Sequence, residues 1–410
     1  MLAREIPRRE LGERRERLRT TAAEEGLDGL VIWSRGGPAV DYYGDVLYLT
    51  NHFPPISSAE PDTELWSGRS YAALVLPVRG EPILIVDLPL WEPESVDVVD
   101  VRPAMHVAVG VAEALAETGL ADGRVGLLGH HVFLASQERT IFETLGRRID
   151  WIPADRLLVE MRMVKSEAEI AVMRKAGQIG VGWMASMMDA AVPGATEGQI
   201  AGAGLKFFAE NGGIPADMDI ASGPMAHELK SRAAIPTWDP GRVLEKGDLF
   251  HVDGWGSVGG YYTDTARTTI VAGAPDAAQS RIIEGTIALV DHLIEGFRPG
   301  VLCREINERG IAWLNENGFA DAVSPPPDAG RDETLHFDKW PYFGHGIGLG
   351  IEPPWLTNEN DTPLQTNMVL AVEVYLSTPG VGLAGFEQNV VVRDGEAENL
   401  TRGLKARWWE

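Results

Sequence analysis

Cysteine is almost absent from this chain. The one residue present, Cys303, cannot form an intrachain disulfide. A fold without such cross-links fits a reducing cytoplasm, which is where the protein is expected. Basic residues are also scarce. Lys and Arg number 36 against 60 Asp and Glu, a formal net charge of -24. Nucleic acid and anionic membranes both need clustered Lys and Arg, so neither is expected as a partner, and the acidity speaks to solubility. No uncharged apolar run reaches the ~18 residues that a membrane-spanning helix requires. The first ten residues lack the apolar core of a signal peptide. What remains is a chain of 410 residues, 44% hydrophobic and 23% charged, long enough for two or three domains.

The N-terminal part reads as alternating helices and strands. Arg9 to Glu25 has a helical pattern stopped by Gly26, and Gly29 to Trp33 reads as a strand. A hairpin follows, from Tyr71 to Leu76 and from Pro82 to Asp87, turning at Arg79-Gly80. Helices near 107–118 and 136–145 flank a strand from Arg124 to Gly129. This pattern predicts a mixed α/β domain over residues 1–158. His130 and His131, read as strand neighbours, would point to opposite faces and could not share a metal. A second domain, 159–410, opens with a long helix to Ala190, for which Ser166 is the N-cap and Glu167 and Glu169 the acidic first turn.

That second domain contains an internal repeat. Pro193, Gly194, Ile200, Gly204 and Glu210 recur 106 residues later as Pro299, Gly300, Ile306, Gly310 and Glu316. Each copy is a Pro-Gly turn, an amphipathic helix and an Asn-Gly stop. Each is followed by a hairpin bearing two acids, and neither hairpin carries a Lys or Arg between them. The first runs from Asp253 to Asp264, the second through Glu373 and Glu387. A tight turn at Val258-Gly259 would set Asp253 directly opposite Asp264. A three-residue tip at Pro379-Gly380-Val381 would set Glu373 opposite Glu387. Directly opposed residues have Cβ atoms ~4.5–5.5 Å apart. At an effective dielectric of about 20, two carboxylates ~5 Å apart repel by roughly 3 kcal/mol. A proton or a cation must neutralise such a pair. With the imidazole of His345, in Gly344-His-Gly-Ile-Gly-Leu349, the set is oxygen-rich and has room for two divalent metals.

These residues resemble the pita-bread metallopeptidases: methionine aminopeptidase, aminopeptidase P, prolidase and creatinase. Asp253, Asp264, His345, Glu373 and Glu387 appear in that family's order. Lys246-Gly-Asp248 and Tyr261-Tyr-Thr-Asp-Thr-Ala-Arg-Thr268 are also family-like. The first domain resembles the creatinase-type N-terminal domain. The resemblance implies a mixed α/β N-terminal domain followed by a pseudo-two-fold α+β pita-bread domain. It also implies two divalent ions (Mn, Co, Zn or Fe), with Asp253 on one, Asp264 and Glu387 bridging, and His345 and Glu373 completing the other sphere. A water between two cations becomes a nucleophile near neutral pH, and Glu373, set among apolar neighbours, is the expected proton carrier. Creatinase-domain relatives further imply a homodimer.

Some positions depart from the family. Pro341 stands four residues before His345, where many prolidases have a histidine, and Glu352 stands seven residues after it, where another is usual. No histidine nearer than His227 precedes Lys246-Gly-Asp248, and Gln388 replaces an acid beside Glu387. Those histidines handle the substrate carbonyl in the peptidases. Losing one such donor typically costs ~10²–10³ in rate. Weak turnover of Xaa-Pro dipeptides is therefore expected, with Glu352 and His227 serving a small, cationic substrate. His251, Trp255, Tyr262, Trp340 and Tyr342 are the candidate substrate contacts, and their rings would suit a cation.

The expected function is metal-dependent hydrolysis of a C–N bond in a small polar molecule or dipeptide. The alternatives are an Xaa-Pro dipeptidase proper, and a lyase resembling dimethylsulfoniopropionate lyase. Gly254 and Trp255 stand where that lyase's motif has a second aspartate, which disfavours it. A non-catalytic pita-bread binding module is disfavoured by retention of all five ligand positions, since unneutralised buried carboxylates are costly.

Overall fold

The computed structural model describes residues 5–36, 44–53, 70–226, 236–319 and 343–409. The chain divides into two compact units, Met1–Arg162 and Met163–Glu410. Among the described residues no helix is long and apolar enough to cross a membrane.

The first unit is built on a six-stranded sheet. Its elements are α1 (Arg8–Glu24), β1 (Gly29–Arg35), α2 (Gly44–Thr50), β2 (Tyr71–Pro77), β3 (Ile83–Val86), β4 (Asp100–Pro103), α3 (Val107–Glu117), β5 (Val125–Leu128), α4 (Ala135–Leu145), β6 (Ile152–Pro153) and α5 (Asp155–Met163). The strand order is β4-β3-β2-β1-β5-β6. β1 to β3 pair antiparallel, whereas β3–β4, β1–β5 and β5–β6 are parallel. Continuous apolar runs such as Leu30-Val-Ile-Trp33 are buried on both faces, as expected of a sheet covered by helices. His130 and His131 are not strand residues. They form an exposed 3-10 turn after β5, entered through Gly129 at φ 81°.

The second unit has two helix-backed sheets. Its elements are α6 (Glu167–Ala190), α7 (Glu197–Glu210), β7 (Gly213–Ser222), β8 (Leu249–Val258), β9 (Tyr261–Ile270), α8 (Ala277–Ile294), α9 (Cys303–Glu316), β10 (Gly344–Ile347), β11 (Ile351–Trp355), β12 (Val369–Thr378), β13 (Gly382–Val391) and β14 (Glu398–Asn399). The sheets are β7-β8-β9 and β11-β10-β12-β13-β14, and they meet where β9 lies against β13. α6 starts as its sequence predicts. Ser166 Oγ accepts from Glu169 N, and Glu169 Oε2 accepts from Ser166 N.

The repeat is structural. α7 and α9 each have 14 residues and start 106 residues apart. Before each, a backbone bridge forms: Gly194 N donates to Leu244 O at 2.9 Å, and Gly300 N to Leu364 O at 2.8 Å. After each, an asparagine amide turns back on the helix, Asn211 onto Phe207 O and Asn317 onto Trp313 O. The copies cap differently. Thr196 and Gln199 form a reciprocal capping box, but at the matching Leu302 only Glu305 contributes a side chain.

Arg174 on α6 grips Glu398 on β14, with a 2.9 Å bond from Nη2 to Oε2, and Arg393 adds a second contact. The hydrogen bond from Arg174, and then that from Arg393, hold the Glu398 carboxyl down at about 2. A depressed carboxylate stabilises the fold above its unfolded value of ~4.3 and loses that contribution as pH falls toward its folded one. The group is partly exposed, so its worth is discounted to about 1 kcal/mol. Glu398→Gln should lower the melting temperature by about 2–4 °C at pH 7. That deficit should shrink between about pH 4.5 and pH 3. An equal deficit at both ends of a pH series of thermal melts would contradict the assignment.

Candidate metal centre

The first hairpin is set by its glycines. Val258 pairs with Tyr261, so Gly259-Gly260 forms the two-residue tip, with φ of 64° and 88°. Such tips need positive φ at both central residues, which Val258 cannot supply cheaply. The expected turn at Val258-Gly259 is therefore corrected by one residue. Asp253 faces Ala266, and Asp264 faces Trp255. Sliding the tip by one residue moves the pairing by two, so the face is kept. The two aspartates share it as diagonal neighbours and not as a direct pair.

The second hairpin pairs as its spacing predicts. Glu373 faces Glu387, and the tip is 379–381. Because β9 lies against β13, the acids of both hairpins converge. Ligand-type atoms of Asp264, His345 and Glu387 lie within 4.8 Å of one another. His345 Nε2 is 3.7 Å from Asp264 Oδ2 and 3.8 Å from Glu373 Oε1. His345 Nδ1 is 3.1 Å from Gly346 O. Donation through Nδ1 leaves the Nε2 lone pair aimed at the carboxylates.

Glu387 is completely buried, and neither carboxylate oxygen has a hydrogen-bond partner among the described residues. Burial first, then the charges of Asp264, Asp253 and Glu373, push its carboxyl well above the ordinary range, with Arg267 opposing. A buried, unbonded carboxylate beside three others is the donor set of a cation site. Four hard oxygen donors and an imidazole suit a divalent metal such as Mn, Co, Zn or Fe.

Residues not singled out from sequence hold this set in place. Tyr375 Oη donates to Asp253 Oδ2 at 2.9 Å. The Asn389 side chain bonds both the N–H and the carbonyl of Asp264. Strand periodicity could have found both, since Tyr375 follows Glu373 by two residues and Asn389 follows Glu387 by two. Arg267 is fully buried and donates to Glu387 O, Ala266 O and Lys405 O. Burial pulls its guanidinium down to about 9, with Glu387 and then Asp291 opposing.

The candidate substrate residues fare unevenly. His251 is buried, with Nδ1 3.2 Å from Thr268 Oγ1 and its ring edge-on to Tyr375 at 5.6 Å. It backs Tyr375. Tyr262 is also buried, and its N–H donates to Gly348 O at 2.8 Å. Trp255 is half-buried opposite Asp264. Trp355 stands 5.6 Å from the His345 ring, beside a cavity of about 340 Å³ lined also by Pro353, Pro354 and Asn360. The Glu352 carboxylate accepts from Lys165 Nζ at 2.8 Å in a buried pair, so it already has a cationic partner within the chain. His227, Trp340 and Tyr342 lie outside the described residues.

Residues 171–394 match the profile of metallopeptidase family M24, and residues 14–164 match that of the creatinase/prolidase N-terminal domain. The Xaa-Pro dipeptidase of Pyrococcus furiosus is 26% identical over 253 residues, covering 60% of this chain and 66% of that enzyme, just under two thirds of its length. A probable dipeptidase PepE of Mycobacterium tuberculosis is 27% identical, covering 92% of this chain and 91% of the relative. Among solved structures, an Xaa-Pro dipeptidase from Bacillus anthracis superposes with a TM-score of 0.76 at 22% identity, covering 96% of this chain and 98% of the other. That likeness shows the fold: a creatinase-like unit followed along the chain by a pita-bread one.

One close approach behind the site can be tested directly. A Cβ on Gly385 would lie 2.4 Å from His251 Cε1 and 2.8 Å from the Tyr375 ring. Gly385→Ala should therefore cost about 1–3 kcal/mol by overpacking. In a His251→Ala background the same change should cost clearly less. Equal costs in the two backgrounds, measured by urea denaturation, would show that His251 is not the obstacle.

Proposed function

The chain belongs to metallopeptidase family M24 and is a metal-dependent hydrolase, and from that premise we propose that it uses two divalent ions to cleave the C–N bond of a dipeptide-sized substrate. The observation that carries this reading is Glu387, a fully buried carboxylate without a hydrogen-bond partner among the described residues, beside Asp264 and His345. Asp253, Asp264, His345, Glu373 and Glu387 would hold the ions. Divalent ions bound there supply Lewis acidity and lower the proton affinity of water toward neutrality.

The chain's own residues divide the remaining work. Tyr375 orients Asp253, and Asn389 fixes the backbone at Asp264. Glu373 is the most exposed acid of the four. It is therefore the group able to carry a proton at Oε1 between water and the departing nitrogen. Dipeptide substrates are favoured by the relatives, whose names are Xaa-Pro dipeptidase and dipeptidase PepE. A non-peptide amide or amidine is the second reading. It is favoured by the absence of a histidine shortly after His345, where Glu352 stands paired with Lys165.

Purified protein should contain close to two divalent metals per chain. Asp264→Ala or Glu387→Ala should lose most of them, as measured by elemental analysis. Absence of specific metal, together with an unchanged melting temperature after chelation, would end the metal reading. For substrate, kcat/KM should be compared across Xaa-Pro dipeptides, other dipeptides, and creatine-like and ectoine-like compounds. Xaa-Pro values are expected to fall below ~10⁴ M⁻¹s⁻¹, the lower end of the usual enzyme range. Values at or above it would make the protein a prolidase.

A further inference from the structure

The Lys165–Glu352 ion pair has no part in the chemistry described above, yet it is buried. Side-chain exposures are 1% and 9%. Lys165 Nζ reaches Glu352 Oε1 at 2.8 Å and Met163 O at 3.3 Å. Burying two charges costs several kcal/mol per ion, and apolar replacements of such pairs are often as stable or more so. Its presence is then better explained by what it fixes than by stability.

What it adjoins is the segment that carries His345. From Gly344 to Gly350, four of seven residues are glycine, a composition with much backbone freedom to restrain. Glu352 pairs across the sheet with Gly346, the residue after His345. The connecting loop folds tightly over the ion pair. A Cβ on Gly348 would lie 2.2 Å from Glu352 Oε1 and 3.1 Å from Lys165 Cε. The same Gly348 accepts from Tyr262 N at 2.8 Å, two residues from Asp264. The Lys165 backbone N–H donates to Asn367 O at 3.1 Å, two residues before β12, which bears Glu373.

We infer that the Lys165–Glu352 pair is a positioning device, a clamp that holds the glycine-rich segment so that His345 Nε2 stays aimed at the carboxylates. The inference rests on the reading of His345 as a metal ligand. It makes Lys165 and Glu352 determinants of metal affinity and removes them from the groups that touch substrate. The two charges cancel, so the clamp adds no net charge beside the acids.

The test is calorimetric titration of metal-free protein with Mn²⁺ and Co²⁺, together with the visible absorption of bound Co²⁺. The variants are Lys165→Met/Glu352→Met, Gly348→Ala and His345→Ala. The double variant removes the directed bond without leaving one charge unpaired. Gly348→Ala keeps both charges but forces Oε1 away from its place. Each should weaken metal binding by about 10–100-fold, the usual cost of losing a group that orients a ligand, and should alter the Co²⁺ spectrum. Wild-type affinity and spectrum in either the double variant or Gly348→Ala would overturn the clamp, and either variant suffices should the other fail to fold. His345→Ala separates the two readings. If it too binds metal normally, the ligand assignment is at fault. If it alone loses metal, only the clamp is.

Discussion

The structure of the second unit depends on one constraint: four carboxylates must be kept close together, one of them, Glu387, in a place water does not reach. Two such charges ~5 Å apart repel by roughly 3 kcal/mol at an effective dielectric of about 20. No ordinary packing gain at the same positions offsets that. The strands must therefore be held from behind by other groups, and the charge must be met by a cation or a proton. Backbone bonds from Asn389 and Arg267, and the Tyr375 hydroxyl, meet the first need. The second is the property that a metal site exploits.

Duplication explains how such a cluster can be assembled at all. Each half supplies a helix and a hairpin, and the hairpins are long enough at ten residues per strand to carry side chains from opposite sides into one centre. β8 and β12 correspond at an offset of 120, which makes Asp253 and Glu373 equivalent. The second strands do not follow suit. Glu387 faces Glu373, but the residue facing Asp253 is Ala266, and Asp264 stands two places on. The centre is thus symmetric in backbone and asymmetric in ligands. That asymmetry lets His345 approach Asp264 and Glu373 from one side while Tyr375 holds Asp253 on the other.

The sequence carried much of this because the relevant signals are local. The helix from Glu167, the matched Pro-Gly and Asn-Gly stops, and the Glu373–Glu387 register each depend on residues close together in the chain. The first hairpin was misread by one residue because Val258, Gly259 and Gly260 offer two tips, and only the demand for two positive φ angles chooses between them. The ion pair of Glu352 was not legible for a different reason. Its partner Lys165 is 187 residues away, and no periodicity reports a contact of that range. His251 illustrates the same limit. Its strand parity with Asp253 was plain, but its burial depends on Gly385 and Tyr375 from another hairpin.

Arg267 and the C-terminus complete the electrostatic argument. The terminal segment docks on its own unit: Arg407 pairs with Glu284, Trp408 Nε1 donates to Asp189 at 2.9 Å, and Lys405 O accepts from Arg267. Arg267 remains cationic at neutral pH even though burial draws it down to about 9. It therefore opposes the rise of the Glu387 carboxyl without abolishing it. A carboxyl raised in the folded state stabilises the fold below its unfolded value of ~4.3 and withdraws that support as pH climbs through the folded one. A divalent ion bound to those oxygens would compete with a proton for them, so its binding would grow tighter as pH rises. Arg267, donating to the Glu387 carbonyl from full burial, sets a fixed positive charge behind the cluster and limits the cost of gathering four acids.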